Sequence, residues 1–196
     1  MLSQRLLAGI LLWTALFLTS TAFVYGLYAW KPLTSAKLGS SFNQRMLMLK
    51  DVAGYKNEHN LPIDDLKQEE RVMDRSSSKA EAEGIDPESI KPFVRTQMEV
   101  AKAIERRFIE VWKSKPENGW KPKPLEEVRK EIASVDETIL KLIHDKLADE
   151  GGYSEQDRRI IYSYITAPKV TQTDKQQLTD ALFGVKLKKA VSSVAS

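Results

Sequence analysis

Apolar and polar positions along the chain alternate with a period of three to four residues almost everywhere, and runs of strictly alternating residues are missing. Phe42, Met46, Leu49 and Ala53 form such a stripe, which predicts a helix from Ser40 or Ser41 to about Glu58. Pro62 closes that segment, and Asp64-Asp65 opens a second, strongly polar helix that runs to the stop at Gly84. Asp86-Pro87-Glu88-Ser89 combines a capping Asp, a Pro at the first helical position and an early acid. It starts a long helix whose inward stripe is Ile90, Val94, Gln97, Met98, Ala101, Ile104, Glu105, Phe108 and Trp112. The Pro-rich stretch KPENGWKPKP (115–124) cannot be regular structure. A fourth helix follows over 125–150, with Leu125, Val128, Ile132, Val135, Ile139, Leu142, Ile143 and Leu147 inward and Gly151-Gly152 at its end. Ser154 caps a fifth helix reaching about Thr166, and Thr173-x-x-Gln176 reads as the capping box of a sixth. The pattern predicts an all-α fold, a single domain of about six helices with no internal repeat.

Residues 6–30 break the pattern. They form 25 consecutive uncharged residues after Arg5, rich in Leu and aromatics. That length exceeds the apolar core of a signal peptide and meets the roughly 20 residues needed to span a bilayer. Small-x-small sites at Ser20-Thr21-Ala22 and Thr34-Ser35-Ala36 suit cleavage, whereas Tyr25, Tyr28, Trp30 and Lys31 suit an interfacial belt and an uncleaved anchor. The chain is therefore read as exported, periplasmic or secreted, with a membrane as partner if residues 6–30 stay attached. Residues 1–36 hold this segment and part of a linker bounded by Pro32 and Gly39, and 37–196 hold the helical domain.

Composition narrows the chemistry. The 196 residues contain no cysteine, which removes disulfides, thiol catalysis and thiolate metal sites. His59 and His144 lack neighbours at metal spacing, so both are read as structural or exposed and no metal is expected. A net charge of +3 argues against nucleic acid, and the lysines of VKLKK near the C-terminus read as a solvated tail.

Several charges sit where apolar residues are expected. Arg45 and Lys56 are eleven residues apart, which on an ideal helix leaves them about 20° apart in azimuth. They share a face with Leu49 and Val52. One such cation is accounted for by snorkelling, but two on one stripe point to a multiply charged anion held between helices. Glu105 lies among Ala101, Ile104 and Phe108, where a carboxyl needs a cation or a proton, and Arg129 borders the stripe of the fourth helix.

With these residues assembled, the chain resembles the exported (periplasmic, gamma) subgroup of the all-helical chorismate mutases. The likeness rests on the Arg45/Lys56 spacing, KDVAGYK (50–56), LPIDDL (61–66), GIDPESIKPF (84–93), QMEVAKAIE (97–105), Trp112 and LEEVR (125–129), and it spans about residues 41–145. It implies rearrangement of chorismate to prephenate without a cofactor. Arg45 and Arg129 would bind substrate carboxylates, with Arg129 supplied by the same chain. Lys56 and a protonated Glu105 would meet the ether oxygen, and Glu69 would hold the substrate hydroxyl. Family members usually carry LPIEDLER here, so Gln68 stands where an active-site arginine is expected; Arg71, one turn on, could reach back, or Gln68 could complete a capping box with Asp65. The likeness is compatible with a homodimer. The neutral Gln68 also leaves open a non-catalytic relative that binds a small carboxylate or a protein partner.

Overall fold

The computed structural model describes residues 33–189, so the apolar 6–30 segment lies outside the described residues. The described chain is helical: α1 (33–47), α2 (Leu49–Glu58), α3 (Leu66–Ala82), α4 (Pro87–Ser114), α5 (Leu125–Glu150), α6 (Glu155–Tyr164) and α7 (Gln172–Phe183). Helices α1 and α2 meet at a one-residue turn at Met48, whose carbonyl accepts from the amides of Asp51 and Val52 at 3.1 and 3.3 Å. Counted as one bent element they give six helices. Among the described residues no helix is long and apolar enough to cross a membrane.

Helix α4 is the spine, packed by α2, α3 and α7, while α5 closes the bundle against α2 and α3. The core joins Phe42, Phe93, Ile104, Ile139, Ile143 and Leu182 from four different helices, all essentially inaccessible. The inward stripe of α4 is wider than predicted. Phe93 and Val100 are also buried, Phe93 against Phe42 of α1 and Val100 on the side that α7 covers with Leu178. The Pro-rich segment straps back onto α2. Trp120 stacks on Trp112 (5.6 Å between centroids), lies under Lys50 Nζ (4.3 Å), and packs so tightly on Gly54 that a Cβ there would be 2.5 Å from its Cη2.

Four expectations change. The linker read over 31–39 is helical from residue 33, because Leu38 extends the Phe42/Met46 stripe by one further step of four and is buried with Thr34 and Ser35. The cleavage site at Thr34-Ser35-Ala36 therefore falls inside a packed helix, where Ser35 Oγ donates to Asp157 Oδ1 at 2.6 Å. Helix α7 is capped two residues earlier than predicted, by a reciprocal box between Thr171 and Asp174. Asp serves at the third position as Glu would, and it also receives Arg107 of α4 at 2.6 Å. The VKLKK run is not a free tail: Val185 is buried, Leu187 bridges to Ile85, and the Lys188 amide donates to Gly84 O at 2.8 Å. Backbone pairing at the α3–α4 junction holds this segment, which side-chain charge alone does not reveal.

Candidate active site

A cleft opens between α3 and α5, floored by α1, α2 and α4, with about 900 Å³ of unfilled space counted out to its mouth. Its walls include all six residues singled out in the sequence: Arg45, Lys56, Gln68, Glu69, Glu105 and Arg129. Arg45 and Lys56 fall on different sides of the Met48 turn, yet both face the cleft.

The deepest groups are Arg45 (8% exposed), Lys56 (6%) and Glu105 (4%). Lys56 Nζ donates to Glu105 Oε2 and to the Ile63 carbonyl, each at 2.8 Å. An ammonium has three N–H donors, so one is left for a ligand. Burial pushes the Glu105 carboxyl above the usual carboxylate range, against the attraction of Lys56 and, more weakly, Arg45 and Arg106. Arg45 Nε donates to Asp136 Oδ1 of α5 at 2.8 Å. Arg129 reaches across to the start of α3, where its Nη2 donates to Asp65 Oδ2 at 2.8 Å, and its Nη1 donates to Glu126 at 3.1 Å. A guanidinium has five N–H donors, so each arginine is oriented by acids and still keeps donors for a carboxylate.

Asp65 has two jobs. Its Oδ1 caps α3 by accepting from the Gln68 amide at 3.1 Å, while Oδ2 holds Arg129. Burial alone would raise its pKa, but the Gln68 amide and the Arg129 guanidinium together hold it below the usual range. Only half of the Asp65/Gln68 capping box forms. The Gln68 Oε1 accepts instead from Arg71 Nε and Nη2, at 3.1 and 2.7 Å. Arg71 thus reaches Gln68 from the solvent side and is not among the residues that line the cleft.

Sequence reasoning passed over Lys102, Arg75, Asp65 and Asp136, which also line the cleft. Lys102 lies three residues before Glu105, and Asp136 seven after Arg129, so helical spacing carried a signal for both. The face of α3 that lines the cleft, with Asp65, Gln68, Glu69, Val72, Arg75, Ser76 and Lys79, is the narrow packing side of an otherwise polar helix. Among the described residues no group of His, Asp and Glu is disposed to hold a metal ion.

The family model for chorismate mutase type II matches residues 36–106, which include every site residue above except those of α5. A monofunctional chorismate mutase of Enterobacter agglomerans is 34% identical over 169 residues, covering 86% of this chain and 91% of that protein. This chain belongs to the type II chorismate mutase family. A secreted chorismate mutase of Yersinia pestis is 39% identical over 146 residues, covering 74% of this chain and 78% of that protein. The crystal structure of secreted chorismate mutase from Yersinia pestis superimposes with a TM-score of 0.71 at 37% identity, over 79% of this chain and 97% of that one. A chorismate mutase from Burkholderia thailandensis, at 20% identity and a TM-score of 0.64 over 76% of this chain and 96% of that one, shares the fold. The family match ends before α5, and the packing of α5 against α2 and α3 brings Arg129 to the cleft.

Proposed function

We propose that this chain is an exported chorismate mutase and that the α3–α5 cleft is where chorismate rearranges to prephenate. The observation that carries the assignment is the convergence of Arg45, Lys56, Glu105 and Arg129 on one cleft within a chain of this family. The reaction is intramolecular: the ether C–O bond breaks as a C–C bond forms from the enolpyruvyl side chain to the ring, and nothing enters or leaves. A protein can accelerate it by holding the folded conformer and by stabilising negative charge that grows on the ether oxygen.

Each role follows from the donors still available. Arg45 and Arg129, anchored by Asp136 and Asp65, bind the two carboxylates. Lys56 directs its third N–H to the ether oxygen, its other two being held by Glu105 and Ile63. A protonated Glu105 donates to the same oxygen, and Glu69 accepts from the substrate hydroxyl. Gln68 adds a neutral contact at the start of α3. Burial, which raises the Glu105 pKa, and the negative charge of a bound dianion both favour the protonated form.

Export rests on the uncharged 6–30 segment and on the similarity to a secreted relative. The assay is loss of chorismate absorbance with the purified protein, beside Lys56→Ala. Turnover should fall at least about 100-fold in that variant, equivalent to ~2.7 kcal/mol of transition-state stabilisation. Removing Lys56 also strips Glu105 of its buried partner, so some loss of melting temperature is expected, limited because Glu105 can take up a proton. Near-parental turnover in the variant would remove the cleft from the mechanism.

A further inference from the structure

A carboxylate on the wall of a cleft that receives a dianion repels its ligand unless a cation stands against it. Glu69 is such a group, with its side chain 23% exposed on the α3 wall. Its neighbour on the same wall offers no charge, since Gln68 is neutral and its carbonyl oxygen is engaged by Arg71. The cation comes from the opposite helix. Lys102 of α4, 12% exposed, places Nζ 3.2 and 3.3 Å from the two Glu69 oxygens. The other acids around Lys102 are Glu99 at 2.8 Å and Asp64 at 3.5 Å, both more than half exposed, and Asp64 is also held by both its oxygens to Arg106 at 2.9 Å. Glu69 is therefore the only one of the three that is largely shielded from water, and the one whose charge depends most on Lys102. Burial works against the Lys102 ammonium, but Glu99 and Glu69 together raise its pKa above the usual value, so it stays charged wherever the enzyme works. The Lys56–Glu105 pair between α2 and α4 is matched internally and leaves Glu69 to Lys102.

We propose that Lys102 is a positioning residue for substrate binding: by bridging both oxygens of Glu69 it keeps that carboxylate oriented and electrically neutralised as the acceptor for the substrate hydroxyl. The inference rests on the reading of the cleft as the mutase site and of Glu69 as the hydroxyl acceptor.

Lys102→Gln, Lys102→Arg, Glu69→Gln and Lys102→Gln/Glu69→Gln are compared with the parent by steady-state kinetics, by calorimetric titration with prephenate, and by thermal melting. Lys102→Gln should raise KM and the prephenate Kd at least tenfold with kcat changed only a few-fold. Lys102→Arg should stay near the parent. On the Glu69→Gln background, where there is no charge left to neutralise, Lys102→Gln should have little further effect. An unchanged KM in Lys102→Gln overturns the proposal. So does a loss that persists undiminished on the Glu69→Gln background, which would mark a packing role. If the parent lacks turnover while Lys102→Gln still weakens prephenate binding tenfold, the catalytic assignment fails and the role of Lys102 in ligand binding stands. If Lys56→Ala abolishes turnover while Lys102→Gln leaves KM and Kd unchanged, the inference alone fails. Absence of both turnover and binding overturns the two together.

Discussion

Glu105→Gln isolates the role of one proton. In the empty cleft Glu105 is ion-paired with Lys56 at 2.8 Å, yet burial outweighs that attraction and raises its pKa. A bound dianion adds negative charge to the same enclosed space and pushes the value further in the same direction. If only the protonated carboxyl donates to the ether oxygen, kcat/KM should fall tenfold for each pH unit above that pKa, the equivalent of about 1.4 kcal/mol per unit. An amide donates at every pH. The Gln variant should therefore show a flat profile, with its carbonyl still accepting from Lys56, and two units above the parental pKa it should be faster by about 100-fold, or ~2.7 kcal/mol.

The same shift has a stability consequence of definite sign. A carboxyl whose folded pKa exceeds its unfolded one makes the native state bind the proton more tightly. Its contribution is complete below the unfolded value near 4.5 and is lost as pH rises through the raised one. Glu105→Gln should remove that part of the pH dependence of melting. The assay is chorismate consumption from about pH 5 to 8 with melts at the same points. A parental profile that is flat over this range, with the Gln variant no faster anywhere, would show that an ionised Glu105 is competent and would refute the need for a proton there.

Two other perturbations probe the scaffold. Gly54→Ala should displace Trp120, since the new Cβ would sit 2.5 Å from its ring, and should cost about 1–3 kcal/mol, read as a lower melting temperature together with a change in Trp fluorescence. Asp157→Asn should lower the melting temperature at neutral pH by weakening the buried contacts to Lys146 and Ser35 that join α5, α6 and α1. Burial raises the Asp157 pKa, but the bonds from Lys146, Ser154 and Ser35 prevail and depress it, so its contribution is present above its unfolded value near 3.8 and lost as pH falls through the folded one. The difference in melting between parent and Asn variant should close on acidification; a constant difference would show that packing, not charge, is at stake.

Much of this protein was determined locally. Helix periodicity, the Asp86-Pro87 start, Gly84 and Gly151 as stops, and the absence of alternating runs each act within a turn or two of backbone, and α4 and α5 begin and end where that pattern places them. Arg45, Lys56 and Glu105 were legible for the same reason: a charge on an apolar helical stripe is anomalous before any partner is known. What tertiary structure decided is which side chain answers which. That Asp136 holds Arg45, that Asp65 both caps α3 and orients Arg129, and that Lys102 matches Glu69 across the α3–α4 contact are pairings between residues 33 to 91 positions apart. No local rule ranks one acid over another at that separation, because ion pairing is set by distance and burial after the helices pack. The early start of α1 and the docking of residues 185–188 follow the same logic, since a segment that looks like linker or tail in sequence becomes structure only when a neighbouring helix supplies the surface or the backbone carbonyl it needs.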